Sequence, residues 1–211
     1  MKEKVSVKRF VWCVIGLMIA GLGVAITKKG ELGVSPVSSV ANIMSLKFDS
    51  LSMGNWLIIW NCVLILGQII LLRKKFQIFQ LLQIPLSVLF GAFTDVGLKA
   101  LSGIPVDNYF VKLVFVFVGT AVVALGVTVS VKADVIYNSG EAFVKAISST
   151  FGPEFANVKI AFDVGCVIVS VILSLLFFHL RIEGTREGTI IAALLTGVFV
   201  KIFSKALSPR K

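Results

Sequence analysis

The chain has 211 residues, 57% of them hydrophobic and only 15% charged, with a mean hydropathy of +0.97. A soluble domain carries about 25% charged residues and interrupts its apolar runs with polar faces, so the composition excludes a water-soluble globule. The formal net charge of +10 accompanies no RNA- or DNA-binding motif. It is read by the positive-inside rule as helix orientation rather than nucleic-acid affinity.

Six apolar runs are long enough to cross a hydrocarbon core, which takes about 20 residues as helix: 10–27, 53–72, 76–98, 109–131, 157–179 and 187–207. Helix is the expected state because backbone in lipid must satisfy its own hydrogen bonds, and the runs lack a barrel's strict alternation. The first run follows Lys2, Lys4, Lys8 and Arg9, as a signal peptide would. It continues straight into Thr27-Lys28-Lys29-Gly30-Glu31, and an equivalent segment recurs mid-chain, so it reads as a permanent span.

Next comes a short segment, 35–46. Ser35-Pro36 predicts a helix start, with Ser accepting from orphan backbone N–H groups and Pro losing nothing at the first helical position. The second span carries Asn61. Arg73-Lys74-Lys75 then makes a tight basic turn, followed by Gln77, Gln80 and Gln83, which recur every three residues as a polar stripe. That stripe either lines a pathway or hydrogen-bonds neighbouring helices. A second short segment, 138–149, opens on Asn138-Ser139-Gly140-Glu141, a capping-box-like start with the acid three residues after the cap.

Asp163 falls inside the fifth span. A carboxylate among apolar residues in a span faces a cavity or partner, or, following Lys159, lies near enough to the interface to be solvated. His179 and Trp12, Trp56 and Trp60 suit interfacial or packing roles. Cys13, Cys62 and Cys166 lie within spans without Cys-x-x-Cys spacing, so neither a metal site nor a disulfide framework is indicated. No Walker motif, His-Glu-x-x-His or nucleophile elbow occurs, and neither a cofactor nor an enzymatic activity is expected.

The two halves of the sequence resemble each other. Residues 16–29 align with 119–132 at an offset of 103, with Gly16/Gly119, Leu22/Leu125, Gly23/Gly126, Val24/Val127 and Lys29/Lys132 identical. At the same offset Ser35 falls opposite Asn138. The last span of each half matches at an offset of 106, where Ile84, Leu89, Gly91 and Phe93 recur as Ile190, Leu195, Gly197 and Phe199. Asn61 falls opposite Asp163, and Asp95 opposite Lys201. One membrane domain over 1–211 is expected, with a first repeat at 10–104 and a second at 109–207.

Each short segment rises about 18 Å as helix against a core about 30 Å thick. The predicted fold is therefore all-α, with six spans and two short re-entrant or interfacial half-helices. Three crossings per half make the repeats inverted, whereas full crossings of the short segments would give eight spans and parallel repeats. Placing Arg73-Lys74-Lys75 on the cytoplasmic side, as the positive-inside rule requires of a tight turn, favours six. Both termini are then cytoplasmic. Inversion puts Asp95 and Lys201 at opposite faces, which excludes an ion pair between them.

Leu32-Gly33-Val34-Ser35-Pro36, after the Gly-rich end of the first helix, resembles the YczE/YitT-like family of bacterial membrane proteins. Gly184-Thr185-Arg186-Glu187-Gly188-Thr189, with Gly197 beyond it, is similar to the same group. Val37 and Ser38 stand where members often carry an aromatic residue and an acid. The resemblance implies a multi-pass protein of the bacterial cytoplasmic membrane with no defined activity.

Inverted repeats with broken helices are the layout of many secondary transporters, in which half-helix N-termini face a substrate near the midplane. The expected function is a permease for a small molecule or ion. The alternative is a non-transporting membrane scaffold or regulator of another protein. Candidate substrate-binding residues are Ser35, Ser38, Asn138, Ser139, Glu141, Asn61, Asp163 and Gln83. A polar cavity reaching the midplane would favour transport, and a solid apolar core the scaffold.

Overall fold

A computed structural model describes residues 6–207. These form eight α-helices: α1 (Val7–Lys29), α2 (Pro36–Lys47), α3 (Met53–Leu72), α4 (Gln83–Ala100), α5 (Tyr109–Ala133), α6 (Ser139–Phe151), α7 (Phe155–Phe177) and α8 (Glu187–Ala206). No strand occurs among the described residues. Six helical segments, those of α1, α3, α4, α5, α7 and α8, are long and apolar enough to cross a membrane. The protein is therefore a multi-pass membrane protein. The short helices α2 and α6 have 12 and 13 residues, too few to span a core about 30 Å thick.

Local chemistry sets the helix ends. Pro36 stands at the start of α2, where its missing N–H costs nothing. Asn138 caps α6 by accepting from Ser139 N at 2.8 Å. Ser35 departs from the expected cap: its hydroxyl donates to Ser38 Oγ at 3.0 Å and accepts no backbone N–H. The expected span at 76–98 also differs, because Ile78–Leu82 is 3₁₀ and α4 begins at Gln83. Pro85 explains the boundary. A regular helix through 78–85 would lose the bond from residue 85 to Leu81 and drive the proline ring into that carbonyl, whereas the first turn of α4 tolerates it.

At the centre α1 and α5 lie antiparallel along their whole length. A Cβ on Gly16 would come 2.6 Å from Ser130 N, and one on Gly23 would come 2.5 Å from Val123 N. Glycines at these places let two backbones touch, the means by which membrane helices associate where lipid is as apolar as the core. At one end Arg9 Nε donates to Ala133 O at 2.8 Å; at the other, Gly30 lies against Lys112 and Val116. Helix α4 runs parallel to α1, with Thr94 Oγ1 donating to Gly21 O at 3.2 Å. Helix α8 runs parallel to α5, with Phe117 edge-on to Phe199 at 5.2 Å and Lys132 Nζ donating to Ser204 O at 2.8 Å.

The short helices cross between the halves. Helix α2 packs on α7, where Ser39 Oγ donates to Cys166 O at 3.4 Å, and α6 packs on α3, where Gln68 Nε2 donates to Ser139 O at 3.2 Å. Helix α3 lies antiparallel against α4. Helices α7 and α8 are held at their linker, through Thr185 Oγ1 donating to Ser170 Oγ at 3.0 Å. Beyond that point they do not pack as α3 and α4 do.

Candidate functional site

The space that α7 and α8 leave between them is a cavity of about 820 Å³ walled by all eight helices. The starts of both short helices reach it, α2 through Ser35 and Ser38 and α6 through Asn138 and Glu141. Asn61 of α3 and Asp163 of α7 face it as well. Each helix start turns the positive end of its dipole toward the same space. The rest of the wall is largely apolar, including Val24, Leu57, Phe90, Val123, Val127 and Ile160.

The charges are arranged in a pattern. Lys159 Nζ and Asp163 Oδ1 form an ion pair of 2.6 Å one helical turn apart, with each side chain about a quarter exposed. Glu141 lines the cavity with Oε2 buried and without a hydrogen-bond partner among the described residues. An unsatisfied carboxylate oxygen costs free energy unless something binds it. Lys145 Nζ stands 4.3 Å from the centre of the Tyr137 ring, a cation–π contact. Asn61 is 4% exposed and lines the same space. Together these groups offer two carboxylates, two ammonium groups and several amides and hydroxyls inside an apolar shell. That arrangement suits binding a small polar or charged molecule.

Six of the eight candidates from the sequence meet here: Ser35, Ser38, Asn61, Asn138, Glu141 and Asp163. Ser139 does not. It is 1% exposed, its carbonyl accepts from Gln68, and its Oγ lies 3.4 Å from that of Ser87. Gln83 is also elsewhere. Its side chain exchanges two hydrogen bonds of 3.0 and 3.1 Å with Gln68. It lies at a second cavity of about 490 Å³, together with Gln77, Gln80, Lys75 and Asp134. Tyr137 and Lys145 border both cavities.

Lys145, Lys159 and Tyr137 were not among the candidates. The spacing of four in Lys159/Asp163 and in Glu141/Lys145 is a sequence signal for helical ion pairing. The structure uses it in the first pair, while Lys145 turns to Tyr137.

The cavity extends between the beginning of α7, at Phe155 and Lys159, and the end of α8, at Thr196 and Val200. Since α8 runs parallel to α5 and α5 antiparallel to α1, this is the face on which α1 begins and α8 ends.

No curated protein and no solved structure matches the chain. A family model does match, over residues 7–205, from the start of α1 nearly to the end of α8. The chain belongs to that family, described as a family of unknown function (DUF6198).

Proposed function

We propose that the protein is a permease for a small polar or charged solute, a secondary transporter whose binding site is the central cavity. One observation carries the reading: two helices too short to cross the membrane both begin at a single interior cavity, beside an ion pair and an unpartnered carboxylate oxygen. Buried polarity of this kind is costly in a membrane and is retained at substrate and ion pathways. The antiparallel α1 and α5, and the crossed pairing of α2 with α7 and α3 with α6, support reading the halves as inverted repeats. We place both termini in the cytoplasm, as Arg73-Lys74-Lys75 favours. The cavity then faces the cell interior, and the membrane is the bacterial cytoplasmic one that the YczE/YitT-like resemblance implies.

Asp163 holds Lys159 in place at the cavity wall and is the side chain on which the test turns. Purified protein is screened by thermal shift against amino acids, sugars, organic anions and organic cations, and each stabilising solute is followed into proteoliposomes. For Asp163→Asn we expect uptake to fall at least about tenfold, roughly 1.4 kcal/mol. Stability should change by less than about 1 kcal/mol, because the pair is partly solvated. Unchanged uptake removes Asp163 from the mechanism. If no solute stabilises or enters, the scaffold reading takes its place.

A further inference from the structure

Helices α3 and α4 close on each other at the ends remote from their linker. There the Gly54 backbone lies against Gly91, where a Cβ would come 2.6 Å from Gly54 O. The Asp95 carboxylate fastens the contact, accepting from Ser52 Oγ at 2.5 Å and Gly54 N at 2.8 Å. Ser52 is the N-cap of α3, so an acid on α4 holds the first turn of α3.

The second half contains the matching positions, unjoined. At the offset of 102 that relates Asn61 to Asp163, Ser52 corresponds to Glu154 and Gly54 to Ala156. At the offset of 106 that relates the last spans, Gly91 corresponds to Gly197 and Asp95 to Lys201. Glu154 is the N-cap of α7. All four residues are exposed. A Cβ on Gly197 would meet nothing within 4 Å, although its counterpart Gly91 is pressed against backbone. Glycine inside a helix costs about 1 kcal/mol relative to alanine, and at Gly197 this conformation shows no contact that requires it. The side chains of Glu154 and Lys201 carry opposite charges, and neither has a hydrogen-bond or ion-pair partner among the described residues.

We propose that the protein has a second conformation in which α7 and α8 close as α3 and α4 do here. Ala156 packs on Gly197, and Glu154 forms an ion pair with Lys201, reversing the polarity of the Ser52–Asp95 contact. The α3–α4 contact opens in the same transition, so the central cavity closes on the face where α1 begins and opens on the other. This deepens the permease reading, supplying its alternation of access, but the conformation itself is observable without any solute.

The test uses the full-length protein in membranes, with its three native cysteines retained and peptide mapping to identify each disulfide. Glu154 and Lys201 are exposed, so the pair Glu154→Cys and Lys201→Cys leaves the packed interior untouched. The pair Ser52→Cys and Asp95→Cys reports the conformation described above. Under mild oxidation we expect both pairs to form disulfides, each in part of the population. In the variant that combines the four substitutions the two disulfides should exclude each other, with at least about a tenfold deficit of molecules carrying both, or 1.4 kcal/mol. Absence of the 154–201 disulfide, while 52–95 forms, overturns the proposal. So does its formation together with 52–95 in the same molecule. A 154–201 disulfide that excludes 52–95, in a protein that takes up no solute, upholds the second conformation and sinks only the permease reading.

Discussion

Around the central cavity, equivalent positions of the two halves carry unlike chemistry. Leu57, Ser38 and Asn61 on one side stand at the offsets of Lys159, Glu141 and Asp163 on the other. The second half thus supplies the charge and the first half neutral polar or apolar surface, as in a site that orients an unsymmetrical ligand. The glycines divide in a different way. Gly16, Gly23, Gly119 and Gly126 hold α1 and α5 at backbone contact, whereas Gly165 has open space around it. Gly16→Ala should therefore destabilise the protein by about 1–3 kcal/mol, the cost of forcing extra volume into a packed interface. Gly165→Ala should be neutral, or stabilising by up to about 1 kcal/mol, because alanine favours helix. Thermal unfolding in detergent distinguishes the two, and equal shifts would contradict the close approach of α1 and α5.

At the scale of elements, the short helices connect the halves. Helix α6 is tied to α3 and α4 through Gln68, which bonds both Gln83 and the Ser139 carbonyl while 0% exposed. Gln68→Leu should cost about 1–2 kcal/mol, since it strands a buried amide on Gln83. Adding Gln83→Leu should recover part of that loss, because the second substitution removes the stranded group. Strictly additive effects in a double-mutant cycle would mean that the two amides do not interact. The comparable tie in the other half is the hydroxyl pair of Ser170 and Thr185, a weaker link beside helices that have separated.

Over the whole molecule, the antiparallel pair α1/α5 forms a central spine, and the remaining helices flank it. The exposed side chains Val164, Ile168, Ile172 and Leu176 make one face of α7 apolar, suited to lipid. With six crossings, the Arg73–Lys75 turn, the start of α1 and the end of α8 share one side of the membrane. Lys74→Cys in intact cells should resist an impermeant thiol reagent added outside and react after permeabilisation. Efficient labelling from outside would reverse the orientation.

Length and hydropathy alone gave the number of long helices, which of them are apolar enough to cross, and nearly all of their ends, because the demand for about 20 apolar residues per crossing is one-dimensional. Ser35-Pro36 and Asn138 marked the starts of α2 and α6 for equally local reasons. The direction in which each side chain points was not legible. Lipid and protein interior are both apolar, so a spanning helix need not carry the polar stripe that tells inside from outside in a soluble protein. Glu141 and Ser139 stand two residues apart on one helix, yet the first lines the cavity and the second is bonded between α3 and α4. Gln83 likewise reads as a pathway residue until Gln68 is found opposite it. The parting of α7 from α8 is further still from the sequence, since matched halves predict matched contacts. One backbone arrangement realises the contact on one side only, and that choice between nearly equivalent packings belongs to the tertiary structure.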